Sequence, residues 1–154
     1  MPVDSPSPLK QNDAAMPIQY WILKTEPSVY SFGDLLEKDR EVWDGITNPL
    51  ALKHLRTAQA GDLALIYHTG DVKAAVGLAR ILGAPYPDPM QQKPAHVVVD
   101  IEPVRTLATP VTLEAMKKNP LLKGLELLRI PRLSFVPVSR EHWKVLMKMS
   151  GTKG

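Results

Sequence analysis

The chain has 154 residues, nine aromatics, no cysteine and a formal net charge of +3. This length suits one domain that buries roughly 68 to 70% of its unfolded surface, so folding requires neither metal nor disulfide. The absence of cysteine excludes a disulfide scaffold, thiolate metal sites and thiol nucleophiles, and suggests a reducing compartment, with the cytoplasm as the expected location.

Residues 1–15, "MPVDSPSPLKQNDAA", offer almost nothing to bury and predict a disordered tail. Met16 directly precedes the first strand-like residues and is an alternative start. The N-terminus lacks the basic-then-apolar layout of a signal peptide, and no apolar run approaches the roughly 20 residues that span a bilayer. A soluble, unexported monomer without membrane contact is expected. The folded part is expected over 16–150, with a short tail at 151–154.

The first element is "PIQYWILKT", a β-branched and aromatic run that predicts a strand ended by Pro27. Ser31 with Asp34 three residues on resembles a capping box and starts a short helix through "FGDLLEK". "EVW" is a brief strand before the Asp44-Gly45 turn. Asn48 before Pro49 signals a helix start, because Asn accepts the free amides and Pro needs no partner there; the helix is expected through "LALKHLRTAQ", stopping near Gly61.

"DLALIYH", "AAVGLARIL" and "AHVVVDIEPV" supply three more strands, the first two joined by a tight turn at Thr69-Gly70-Asp71. The proline-rich "GAPYPDPMQQKP" is a loop. Thr112 and Ser139 suit the caps of "LEAMKKN" and "REHWKVLMKM", with an irregular approach through "LLRIPRLSFVPV" to one last strand. Short strands with helices at both ends predict an α+β domain on a curved, largely antiparallel sheet or small barrel.

Much chemistry has no signal. No glycine motif of the P-loop or dinucleotide type is present, and no G-x-S-x-G elbow. His54, His68, His96 and His142 show no metal-ligand spacing, so no metal and no cofactor are expected. Charge is uneven: residues 1–105 hold ten Lys and Arg against thirteen Asp and Glu, whereas 106–154 hold nine against three. A basic last third is compatible with a polyanion-facing surface, although lysines on helices are commonly solvated charge.

Seven stretches, "YWILKTEPSVYSFGDL", "VWDGITN", "GDLALIYH", "VGLAR", "YPDP", "VTLEAMKKNP" and "RLSFVPV", occur in the order seen in EVE-domain proteins, and the chain resembles a bacterial-type member of that family over roughly residues 18–150. The resemblance implies a PUA-like curved antiparallel β-barrel flanked by short helices, related to YTH domains. It also implies a pocket for a modified base: 5-methylcytosine or its oxidised forms in DNA, with methylated adenine in RNA for the YTH relatives.

Aromatic faces return about 1–3 kcal/mol per stacked base, against a few kcal/mol to extrude it. Trp21 and Trp43 are therefore expected to hold the base between them, with Tyr67 as a third wall; large aromatics on strands are, equally, commonly core. Lys24, three residues after Trp21, falls on the opposite strand face and suits a phosphate contact or a surface charge. Glu26 and Ser28 flank Pro27, where a turn exposes polar groups to a ligand or simply satisfies itself.

Asp44 suits a hydrogen bond from the cytosine amine or an ordinary Asp-Gly turn. Asn48 caps its helix or meets the base. His68 ends a strand at the expected barrel mouth, and Arg132 with Ser134 in "RLSF" suits the DNA backbone. Thr47, Pro49, Leu50 and Pro131 depart from the family's common residues; Thr47 in place of an arginine that grips phosphate predicts weaker, less salt-sensitive binding. A buried methyl is worth about 0.8 kcal/mol, about fourfold in affinity, so sharp selectivity needs a polar contact as well. The expectation is a non-catalytic DNA reader; the alternatives are a YTH-like RNA module, a small hydrolase or nuclease, and a protein-interaction domain.

Overall fold

A computed structural model describes residues 17–90 and 96–152. The expected tail and the alternative start at Met16 lie outside the described residues, as do residues 91–95 of the proline-rich loop. The elements are β1 (Tyr20–Thr25), α1 (Phe32–Lys38), β2 (Glu41–Trp43), α2 (Pro49–Leu55), β3 (Leu63–His68), β4 (Ala74–Ile81), β5 (Tyr86–Pro87), β6 (Val97–Thr112), α3 (Leu113–Lys118), α4 (Glu126–Arg129), β7 (Phe135–Val138) and α5 (Arg140–Ser150). A 3-10 turn at Pro120–Leu122 separates α3 from α4.

Helix starts follow local chemistry. Ser31 Oγ accepts from the Asp34 amide while Asp34 accepts from the Ser31 amide, closing the capping box. Asn48, Thr112 and Ser139 each accept from amides of the first turn of α2, α3 and α5. α2 ends at Leu55, well before Gly61. α5 ends on Gly151 in a left-handed conformation, and Thr152 Oγ1 accepts from the Ala108 amide at 2.8 Å, which ties the start of the expected C-terminal tail to the fold.

The strands form one sheet in the order β2-β6-β4-β3-β1-β7, with β5 on β6. β1 and β3 run parallel and every other pair is antiparallel, so the sheet is mixed. It curls into a half-barrel because register shifts interrupt the β3–β4 pairing at Ile66/Tyr67 and the β4–β6 pairing at Ala75/Gly77 and Leu78/Ala79. The last shift lies opposite Pro103, and β6 continues past its expected end at Val104 to Thr112. Gly77 is required at the curl: a Cβ there would fall 2.4 Å from the Phe32 ring, which anchors α1 against the sheet.

The core includes Ile22, Leu35, Leu65, Leu78, Ile101, Phe135 and Leu146, all fully buried. Lys24 donates its amide to Ser134 O at 3.0 Å, just beyond the β1–β7 pairing. This bond holds the end of β1 beside the segment entering β7, the corner where the site forms. Among the described residues, no helix is long and apolar enough to cross a membrane.

Candidate functional site

Four segments meet around an open cavity of about 430 Å³: Lys24 and Thr25 at the end of β1, Val29 and Tyr30 after the Pro27 turn, Glu41 to Ile46 in and after β2, and Ser134. Its volume lies within the range of about 300–1,000 Å³ typical of small-molecule sites. Trp43 and Tyr30 form the aromatic wall, meeting edge to face with ring centroids 6.0 Å apart. Thr25 Oγ1 donates to Tyr30 O at 2.7 Å, and the Tyr30 amide donates to Glu26 O, fixing the Tyr30 backbone.

The polar groups of this cavity are unequal. Glu41 Oε1 accepts from Lys38 Nζ at 3.0 Å and from the Val42 amide at 2.8 Å, whereas Oε2 accepts from Lys38 alone at 3.1 Å. Burial raises the Glu41 pKa, but the Lys38 and Val42 hydrogen bonds outweigh it and hold the carboxyl below its usual range. The Tyr30 hydroxyl is buried without a hydrogen-bond partner. Burial, and next the adjoining Glu41 carboxylate that the hydroxyl faces, push its pKa up to about 12.

Lys24 Nζ donates to Pro131 O at 2.6 Å, and burial lowers its pKa. Its side chain stands between this cavity and a smaller one of about 280 Å³, lined by Tyr67, Lys73, Lys117, Leu127 and Pro131 among others. Asp44 and Ser134 line the first cavity, Ser134 thus standing at the pocket instead of with Arg132 at the expected backbone contact.

Other expected positions are placed elsewhere. Trp21 is 3% exposed, its ring lies 4.8 Å from that of Phe135, and its Nε1 donates to the buried Asp62 Oδ2 at 3.0 Å. Trp21 and Trp43 line different cavities, so the expected clamp of one base between them is not formed; Trp21 lines a separate open cavity of about 580 Å³ beside Pro17 and Pro137. Tyr67 lies across Lys24 in the smaller cavity, 6.0 Å from Nζ. Asn48 Oδ1 is occupied by the Leu50 and Ala51 amides, and a cap is its job.

His68 Nε2 accepts from the Phe32 amide at 3.0 Å, fastening α1 to the end of β3. Glu26 accepts from both the amide and the hydroxyl of Ser28, so these two satisfy their own turn. Arg132 is exposed and lines none of these cavities. Sequence reasoning missed Tyr30 and Glu41. Period-2 alternation along "EVW" carries the signal for Glu41, because residues 41 and 43 share a strand face. Among the described residues, no group of three His, Asp or Glu suits a metal ion.

The family model described as EVE domain matches residues 19–149. The chain belongs to the EVE family. The EVE domain is similar to the Rpa0253 protein of Rhodopseudomonas palustris at 40% identity and a TM-score of 0.83, covering 87% of this chain and 94% of that one. It is similar to the human THYN1 protein, solved in complex with 5-methylcytosine containing DNA, at 25% identity and a TM-score of 0.78, covering 88% of this chain and 99% of that one. Thymocyte nuclear protein 1 of Mus musculus is 26% identical over 168 residues, covering 87% of this chain and 74% of the relative.

Proposed function

We propose that this EVE domain is a non-catalytic nucleic-acid-binding module that takes one flipped, modified cytosine of DNA into the cavity walled by Trp43 and Tyr30. The observation that carries the reading is that cavity itself: open, sized for a small planar ligand, backed by an indole and bordered by Lys24 and Ser134. The human relative in complex with 5-methylcytosine containing DNA supports the ligand class.

Magnitudes favour one ring plus polar contacts over a two-ring clamp. Extrusion costs a few kcal/mol and one stacked face returns about 1–3, so groups on the base edge and phosphate contacts supply the rest. Carboxylates at Glu41 and Asp44 make the cavity itself unfavourable for phosphate. The strand backbone instead passes the side of Lys24 where Lys73 and Lys117 line the neighbouring hollow.

Titration of duplexes that differ only in the substituent of one cytosine tests the reading. The wild-type domain is expected to prefer the 5-methyl duplex by about fourfold, the worth of one buried methyl. Trp43→Leu is expected to weaken both complexes and abolish the preference. Unchanged binding and preference in Trp43→Leu would contradict it.

A further inference from the structure

The cavity holds two carboxylates in different states. Asp44 is exposed on its turn. Glu41 is largely covered, with its side chain 18% exposed, and is fastened at three points by Lys38 and the Val42 amide. Those bonds leave Oε2 with a single donor, although a carboxylate oxygen accepts two. On the cavity wall, two residues from the stacking indole, Glu41 thus presents a rigid, ionised acceptor with spare capacity. Half-buried Tyr30 packs edge to face on Trp43, and its hydroxyl, which both donates and accepts, is neutral and cannot replace the charge of the carboxylate.

A methyl group cannot define the ligand alone, because thymine carries the same 5-methyl as 5-methylcytosine. The two bases differ at position 4, where cytosine has an amine that donates and thymine a carbonyl that accepts. A fixed carboxylate welcomes the first and opposes the second.

We infer that Glu41, rather than Asp44, is the specificity-determining residue of the cavity: its Oε2 accepts from the exocyclic amine of the inserted base and so rejects thymine. The inference rests on the base-binding reading above. Glu41 adds discrimination that stacking on Trp43 cannot supply, since every base has a stacking face. A held carboxylate pointed at an amine also explains why an acidic group lines the site of a domain that meets a polyanion.

The test uses the full chain and duplexes carrying 5-methylcytosine or thymine opposite an abasic site, so that neither test base is paired. Wild type is expected to bind 5-methylcytosine roughly tenfold or more tightly than thymine. Glu41→Gln, which places an amide donor beside position 4, is expected to bring the ratio within about twofold of unity or reverse it, and Asp44→Asn to shift it by less than Glu41→Gln does. Thermal unfolding of both variants should stay close to wild type, because Gln keeps the acceptor for the Val42 amide and the Lys38 end of the pair is exposed.

An unchanged ratio in Glu41→Gln overturns the assignment, and a ratio lost in Asp44→Asn alone transfers the role to Asp44. If Trp43→Leu binds both duplexes as wild type does, the cavity reading itself fails and this assignment falls with it. A ratio that fails only in Glu41→Gln while Trp43 still governs affinity separates the two claims in favour of both.

Discussion

Two tryptophans, 22 positions apart in the sequence, sit in opposite kinds of environment. Around Trp21 every polar group is answered: Asp62 accepts from the Trp21 indole, from the amide and side chain of Gln19 and from the Gln59 amide. Around Trp43, which is 8% exposed, the wall includes a buried hydroxyl without a partner and a carboxylate oxygen with one donor. Burial of the ring does not separate core from site, since both indoles are largely covered. Polar accounting does, because a buried group left unanswered costs free energy that a ligand can recover.

The sharpest way to break this contrast is to remove each indole in turn. Trp21→Ala is expected to destabilise the fold by about 3–5 kcal/mol, the range for truncating a large core aromatic, with the Asp62 carboxylate left short of a donor as well. Denaturant unfolding measures this, and whatever folded protein remains should still discriminate between duplexes. Trp43→Leu is expected to cost about 1–3 kcal/mol of binding, the stacking of one base, with a smaller loss of stability than Trp21→Ala. If the two variants changed places, the contrast would be wrong. Glu41→Gln then sharpens it, by moving base preference without moving stability.

A smaller effect comes from His68, which belongs to the structural side of the comparison. Burial holds its imidazole below the ordinary histidine range, against the opposing pull of Glu26. As pH falls the unfolded chain therefore takes up the proton first, so stability present above that range is lost as pH drops through it. His54, lowered chiefly by burial, adds a loss of the same sign. His68→Gln keeps an acceptor for the Phe32 amide and is expected to flatten part of the decline between about pH 7 and pH 5 in thermal unfolding. An unaltered slope would remove His68 from the account.

What the sequence made legible was local. Ser31 with Asp34, Asn48 with Pro49, Thr112 and Ser139 announced four helix starts because a cap acts within three residues of itself. The parallel pairing of β1 with β3 and the continuation of β6 beyond Val104 to Thr112 depend on partners far along the chain, which no window of residues displays. The site divides the same way. Lys24, Trp43, Asp44 and Ser134 were named from their motifs and do meet at one cavity.

Trp21 was misplaced because the residue that decides its role, Asp62, stands 41 positions away. Alternation along β1 already opposed it, since Lys24 and Trp21 point to opposite faces and only one of them can serve the cavity. Tyr67 and His68 have partners likewise visible only in the fold, whereas Glu26 and Ser28 satisfy each other within the turn, the local alternative the sequence offered.

The central claim is that a base enters beside Trp43 and never reaches Trp21. Indole N–H resonances in a proton–nitrogen correlation spectrum, recorded while a 5-methylcytosine duplex is added, test it most directly. The Trp43 signal is expected to move and that of Trp21, held on Asp62, to stay; movement of the Trp21 signal with Trp43 unaffected would contradict the account.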